Sequence, residues 1–496
     1  MESIYGLDSE ALNRARISRD PRFDGKFFIA VTSTGIYCRP ICPSRYAKRA
    51  HVRFFGSPAA AEAAGFRPCL RCRPEAAPGT PAWLGTAAVV RRALRLIEAG
   101  ALDEESVEAL AGRLGIGSRH LLRLFIRHVG ASPVAVAQTR RLHFAVCLLE
   151  QTALPITQIA LAAGFGSSRR FNDAFRSTYR RAPRELRRAG PQAAAGRDVE
   201  EVRLRLAYRP PYDWEHVHAF LAARAVAGIE RVDARGYART VAWAGGDARI
   251  RVSALRGENA LELRVAGAPP AALLQLATAA RRVFDLAADP QRIDLALASD
   301  PLIAPLIRAR PGLRIPGSWD AFECAVRAVL GQQVSVAAGR TLTERLVARF
   351  GRAIRGGADG LTHVFPDAAV LAAAPLESLG ITRARAATLR ALSRAVLERR
   401  IDFGSAPEEV LTALAAVPGI GPWTAQYVAL RALGEPDAMP SGDLVLRRMA
   451  ATSLQPLGLR ELEARARDWQ PWRGYAVMHL WRAAAAPVAA RTARCA

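Results

Sequence analysis

Two clusters in this 496-residue chain have residue types and spacings suited to chemistry. The first is Cys38-x3-Cys42 followed by Cys69-x2-Cys72. Two close pairs of thiolates suit tetrahedral Zn2+. Such a site supplies on the order of 10 kcal/mol of folding free energy to a small domain. Spacing alone leaves a purely structural zinc site open. The second cluster runs from Leu411 to Leu446. An apolar helical run stops at Pro418, Gly419-Ile420-Gly421 form a hairpin, and a new helix starts at Pro422-Trp423-Thr424. Asp443 then stands where a third helix is predicted to begin. Glycine accepts positive φ and lets backbone approach a ligand closely. The N–H groups of the helix that follows are positioned to hold a phosphate. Together they predict a grip on one nucleic-acid strand that reads no bases, with a lone carboxylate nearby. Aspartate is also a favoured N-cap, a role that does not exclude chemistry.

Composition agrees with a polyanionic partner. The formal charge is +25 and the pI near 11.1, which favours nucleic acid. Lysine occurs only at Lys26 and Lys48, and arginine supplies the rest. Genome composition bias also produces such an Ala- and Arg-rich chain, so the charge is supporting evidence only. No apolar run reaches the ~18 residues of a membrane span, and MESIYGLDSE lacks a signal pattern. A cytoplasmic, nucleoid-associated monomer without membrane contact is expected. Of seven cysteines, four fall in one segment, which in an intracellular chain suggests metal over disulfides.

The elements that must position these residues fall into several units, since this length holds about three or four domains. Pro/Ala/Gly-rich stretches at Pro74–Pro81 and Ala189–Gly196 separate them. Between them lie two helix-turn-helix patterns, from Val107 with Gly115 at the turn and from Ile156 with Gly164 at the turn. Recognition helices bring N-terminal residues to base edges, which selects Ser118, Arg119, Ser168, Arg169 and Arg170. Helix-turn-helix units also serve as protein-interaction bundles. Residues 200–290 alternate like strands, and from Trp319 onward the pattern reads as helical throughout. Cys147 lies on an apolar helix face, as a core residue would. Cys324 and Cys495 have no motif around them, and Cys495 belongs to a loose tail.

Three resemblances then sharpen the reading. Phe23-Asp24-Gly25, Thr34-Gly35-Ile36-Tyr37-Cys38-Arg39-Pro40 and Ala64-Gly65-Phe66-Arg67-Pro68-Cys69 resemble the zinc domain of Ada alkylation-response proteins. The resemblance implies that Cys38 is both a zinc ligand and the acceptor of a methyl group from a DNA methyl phosphotriester. A zinc-held thiolate is reactive. Methylating one sulfur removes a negative charge, so DNA affinity should rise. The segments GASP, RRLHFAVCLLE, ITQIALAAGF and RRAP resemble an AraC-type DNA-binding domain, which implies an operator and RNA polymerase as partners.

From about residue 200 to 490 the chain resembles AlkA-type 3-methyladenine glycosylases of the helix-hairpin-helix superfamily. Pro210-Pro211-Tyr212-Asp213-Trp214, FLAARAVAGIE, VLGQQVSVAA, the hairpin and Trp469-Gln470-Pro471-Trp472-Arg473-Gly474-Tyr475-Ala476 carry that resemblance. It implies that Asp443 is the catalytic acid and that Trp423, Tyr427 and Trp481 line a base pocket. Gly419, Gly421 and Thr424 would hold DNA, with a monovalent cation at the hairpin, and Gln332 and Gln333 lie where a wedge enters the duplex. The lyase-type relatives carry a lysine where Trp423 stands, and no lysine follows Lys48, so no β-lyase activity is expected. No Pro-Cys-His methyl-acceptor motif occurs, so direct repair of O6-methylguanine is not expected.

The expected fold class is multidomain α+β: a small zinc-bound α/β domain (1–77), an all-α double helix-turn-helix domain (84–190), an α+β TBP-like domain (199–300) and an all-α helix-hairpin-helix glycosylase domain (301–490). The residues alone keep two rivals open, an activator whose last half only binds DNA and a repair enzyme whose front half only tethers it.

Overall fold

In the computed structural model, residues 4, 7–78, 88–189, 201–243, 246–451 and 455–485 are described. Cys495, residues 79–81 of the first expected linker and residues 190–196 of the second lie outside them. The chain divides into two compact units: residues 1–210, 252–281 and 286–288, and residues 211–251, 282–285 and 289–496.

The first unit begins with a four-stranded sheet of order β3-β1-β2-β4, made of β1 (Phe28–Val31), β2 (Ile36–Cys38), β3 (Val52–Phe55) and β4 (Arg67–Pro68). β1 is antiparallel to β2 and β3, but β2 and β4 run parallel, with Tyr37 opposite Pro68. That register sets Cys38 beside Cys69, whose N–H donates to the Tyr37 carbonyl at 2.9 Å. Short strands thus bring together cysteines that the sequence separates.

Helix α1 (Pro58–Ala63) packs three buried alanines against this sheet and carries Glu62 on another face. Two helix-turn-helix pairs follow, α2 (Val107–Arg113) with α3 (Ser118–His128), and α5 (Ile156–Ala162) with α6 (Ser168–Tyr179). The 19-residue α4 (Pro133–Gln151) joins them, started by Pro133 and capped by Ser132. Both tight turns need glycine: Gly115 has φ +70° and Gly164 φ +80°. Leu121 and Phe125 anchor α3 in one core, and Phe171, Phe175 and Tyr179 anchor α6 in another.

The cysteine sheet is tied to α4 through polar groups. The buried Tyr37 hydroxyl donates to Glu62 Oε1 at 2.8 Å and lies 3.2 Å from His143 Nε2. Thr139 donates to Glu62 Oε2 at 2.6 Å. Arg73, one residue past Cys72, forms an ion pair with Glu150 of α4.

A five-stranded sheet, order β5-β9-β8-β7-β6, comprises β5 (Glu201–Ala207), β6 (Glu230–Asp233), β7 (Gly236–Trp243), β8 (Gly246–Ala254) and β9 (Ala260–Ala266). Alternation in VRLRLA is the cause: Leu204 and Leu206 are buried while Arg203 and Arg205 are exposed. This is the sheet of the expected α+β domain, and the architecture is the expected multidomain α+β one.

The second unit is mainly helical: α7 (Trp214–Ala222), α8 (Ala321–Leu330), α9 (Val336–Phe350), α10 (Arg383–Leu397), α11 (Pro407–Ala415), α12 (Pro422–Val428), α13 (Leu444–Met449) and α14 (Arg473–Ala485). Leu330, Leu346, Leu389, Leu392, Leu414 and Val428 are fully buried in a shared core. One expectation fails here: the chain past Trp319 is not helical throughout. β10 (Arg352–Ala358) and β11 (Leu361–Val364) form an antiparallel hairpin. Asp359 (φ +56°) and Gly360 (φ +78°) make its two-residue turn, a pair of positive-φ residues that suits the twist of antiparallel strands.

Candidate functional site

In the second unit, α12, α13 and α14 converge on a cavity of about 620 Å3 that Asp443, Trp423, Tyr427 and Trp481 line. Asp443 is the N-cap of α13. Its Oδ1 accepts the Leu446 N–H at 3.0 Å, and its Oδ2 accepts Trp423 Nε1–H at 3.0 Å. The cap and the candidate acid are therefore one residue. Each oxygen has a fixed donor, so the carboxylate cannot rotate away from the cavity without breaking a bond.

The aromatic rings sit in series. Trp423 and Tyr427, four residues apart on α12, stack with centroids 5.4 Å apart at 19°. Tyr427 and Trp481 are 6.1 Å apart at 47°. Arg431 donates to the Tyr427 hydroxyl at 2.8 Å, and its guanidinium lies 4.6 Å from the Phe220 ring centroid.

A largely buried ion network forms part of the cavity wall, through Glu230, Tyr237, Arg239 and Arg327. Arg239 pairs with Glu323 at 2.8 Å, and Arg327 pairs with Glu230 at 3.0 Å and Glu323 at 2.9 Å. Tyr237 donates to Glu230 at 2.7 Å. Burial works against the charge on Arg239, but Glu323, Tyr237 and Glu230 outweigh it and hold its pKa up. Two carboxylates and two guanidiniums make the set neutral, so removing any one member leaves a buried charge unpaired.

The hairpin has one demanding glycine. Gly419 has φ +88°, and a Cβ there would stand 2.0 Å from Thr388 Oγ1. Gly421 is extended, with open space where a Cβ would go. It starts α12 with no side-chain cap, and Pro422 follows. The two candidate wedge residues part company. Gln332 is committed to the hairpin, donating through Nε2 to the Gly419 carbonyl and to Thr424 Oγ1, both at 2.9 Å. Gln333 is exposed in a left-handed conformation, φ +54°.

In the first unit the Sγ atoms of Cys38, Cys42, Cys69 and Cys72 all lie within 4.8 Å of one another. Cys38 is half-buried and the other three are buried. The all-sulfur donor set fits tetrahedral Zn2+. The backbone N–H of Arg39 donates to Cys72 Sγ at 3.3 Å, while its guanidinium pairs with Asp24. On the helix-turn-helix pairs, Arg119, Arg169 and Arg170 are exposed in the first turns of α3 and α6, and Ser118 and Ser168 open those helices half-buried.

A Mycobacterium tuberculosis protein described as "Probable bifunctional transcriptional activator/DNA repair enzyme AlkA" is 42% identical over 486 residues, covering 97% of each chain. The chain belongs to this family. The parts agree with such a bifunctional AlkA: the metal-binding domain of Ada matches residues 11–75, a helix-turn-helix domain 110–189, the AlkA N-terminal domain 203–320, and the HhH-GPD superfamily of base excision DNA repair proteins 326–470. The Escherichia coli DNA-3-methyladenine glycosylase 2 is 38% identical over 286 residues, 56% of this chain and 95% of its own. The Escherichia coli activator and repair enzyme Ada is 37% identical over 194 residues, 38% of this chain and 50% of its own. The solved 3-methyladenine DNA glycosylase of Archaeoglobus fulgidus shares the fold, with TM-score 0.50 at 20% identity over 56% of this chain and 96% of that one.

Sequence reasoning missed several parts of this site. Trp319 lines the cavity from the loop before α8, and no motif marks it. The Glu230–Arg239–Glu323–Arg327 network joins residues up to 97 apart in sequence. Buried arginines within strand and helix patterns were the available signal.

Proposed function

We propose that residues 199–490 are a monofunctional DNA-3-methyladenine glycosylase and that residues 1–190 are a methylation-sensing, operator-binding regulator. The Asp443 carboxylate, held by two donors at the mouth of an aromatic cavity, is the observation that carries the first half. A flipped nucleotide would leave the stack and enter that cavity. N-alkylated purines are cationic, and the electron-rich faces of Trp423, Tyr427 and Trp481 favour them over neutral bases. As the N-glycosidic bond breaks, its electron pair leaves with the base and positive charge grows on the sugar. Asp443 stabilises that charge, and water adds at C1′ and loses a proton. Asp443 is no nucleophile in this scheme and no lysine stands beside it, so the strand is left uncut at an abasic site.

The hairpin at Gly419 to Gly421, with Thr424, would hold a phosphate of double-stranded DNA, helped by a monovalent cation. Gln333 is the wedge in this reading, because Gln332 is already committed to the hairpin. In the first unit, Cys38, Cys42, Cys69 and Cys72 would hold Zn2+, which when bound keeps the sulfurs as thiolates. The Cys38 sulfur then attacks the methyl carbon of a phosphotriester. An S–C bond forms, the C–O bond breaks, and the phosphodiester leaves with the electron pair. The domain limits in this reading are 1–77, 84–190, 199–300 and 301–490. A cytoplasmic monomer that meets RNA polymerase on the operator completes the proposal. Among the described residues no helix is long and apolar enough to cross a membrane.

The test uses full-length protein on methylated duplex DNA, with Asp443→Asn beside wild type. Release of 3-methyladenine by wild type alone, from strands that stay intact, is the expected result. No release from either protein, with zinc content and fold unchanged, would return the second unit to a DNA-binding module. Mass spectrometry of Cys38 after the same incubation reads the methyl transfer separately.

A further inference from the structure

The two recognition helices share a register, and their outward faces differ in chemistry. Each begins with serine, Ser118 in α3 and Ser168 in α6. Leu121 aligns with Phe171 and Phe125 with Phe175, all four fully buried. These anchors fix which positions face outward. On α3 the positions are Arg119, Leu122, Arg123 and Ile126, and on α6 they are Arg169, Asn172, Asp173 and Arg176.

On α3, Leu122 is 43% exposed and Ile126 54% exposed, one helical turn apart and flanked by exposed arginines. Apolar side chains there gain nothing in water. On α6 the matching positions are polar. Arg169, Asn172, Asp173 and Arg176 line a groove of about 410 Å3, and Asn172 spends its amide donor on the Ser168 carbonyl at 2.8 Å.

We infer that the two helices read one operator by different chemistry. The major groove offers a single apolar group, the thymine C5-methyl, and Leu122 and Ile126 are placed to pack on it. Arg169 and Arg176 suit guanine O6 and N7, and Asp173 suits the cytosine N4 donor. The operator is therefore bipartite, with a thymine-bearing segment under α3 and a G·C-bearing segment under α6. The joining helix α4 has 19 residues, roughly 28 Å at 1.5 Å per residue. That approaches the ~34 Å between successive major-groove faces. The arginines beside Leu122 and Ile126 make a polyanion the fitting occupant of this face. The inference rests on the reading of the first unit as an operator-binding regulator and specifies what it reads.

The probe is a duplex pool with a random central segment, selected on full-length, Cys38-methylated protein. The selected duplex is then remade with deoxyuridine for thymidine in one segment at a time, which removes only the methyl group. Wild type should lose about threefold to fivefold in affinity per methyl in the α3 segment. Leu122→Ala/Ile126→Ala should be indifferent to that change. Arg169→Ala should relax selection in the other segment alone. Circular dichroism and thermal melting establish that each variant is folded. Selection of a defined site whose binding ignores deoxyuridine overturns the inference and leaves the regulator reading standing. No enrichment by any form sinks the regulator reading itself. A Leu122→Ala/Ile126→Ala protein that binds its site normally but fails to activate transcription in vitro overturns the inference in favour of a protein-docking face.

Discussion

At Cys38 the proposed reacting atom ends a short strand and belongs to a cluster of four sulfurs, three of them buried. At Asp443 the proposed reacting carboxylate opens a helix and faces a cavity, with one backbone and one side-chain donor on its oxygens. In the proposed chemistry the first centre consumes its nucleophile, because a thioether has no route back to a thiolate. The second would leave its carboxylate unchanged after each base is released. A single-use group tolerates dependence on a metal that also folds its domain. A group that turns over must keep one orientation through many substrates, and its two donors provide that.

The comparison breaks first if the metal is removed. Chelation should unfold the cysteine sheet, a loss on the order of 10 kcal/mol of coupled binding and folding, while base release from methylated DNA persists. Joint loss of both activities in a chelated sample would mean the centres are not independent. Next in size, Asp443→Asn should slow base release by about 10²–10³, the usual worth of one fixed electrostatic group. Methyl transfer to Cys38, followed by mass, should be unaltered.

Gly419→Ala should cost about 2 kcal/mol in thermal stability, since it adds backbone strain to a methyl group placed 2.0 Å from Thr388 Oγ1. It should also weaken DNA binding. Gly421→Ala, extended and facing open space, should leave the melting temperature within error.

The smallest effect concerns acid. Burial pushes His216 down to about 4 and His479 down to about 3, with His216 and Arg482 adding to the shift at His479. Their folded values lie below the ordinary ~6.5, so the unfolded chain binds more protons in between. Stability is therefore full above about pH 6.5 and declines as pH falls toward 4, by at most ~1.4 kcal/mol per unit for each histidine. His216→Phe should flatten that decline in melting experiments. An unchanged acid limb would remove the pair from the account.

Local features were legible in the sequence and distant ones were not. Cys38 to Cys72 and the stretch from Gly419 to Asp443 show themselves because their ligands and turns recur within a few residues. Trp319 and the Glu230–Arg239–Glu323–Arg327 set depend on packing between separate elements, which no local pattern encodes. The β10–β11 hairpin had a readable signal in Asp359-Gly360 between alternating residues, but the Ala/Arg richness on both sides imitates helix. Asp443 shows a different limit. Its role as a cap and its proposed role as the acid of the site rest on one position, and the Trp423 bond distinguishes it from an ordinary cap.

The bond from Tyr37 to Glu62, and from Glu62 to Thr139, bears on how such proteins are assembled from parts. Separating the sensor sheet from α4 would strip the Glu62 carboxylate of its Thr139 donor and the Tyr37 hydroxyl of its His143 neighbour, leaving the two only their bond to each other. A sensor module grafted onto a foreign regulator would need a threonine and a histidine at the places of Thr139 and His143. The joint between the sensor sheet and α4 thus belongs to both halves of this chain.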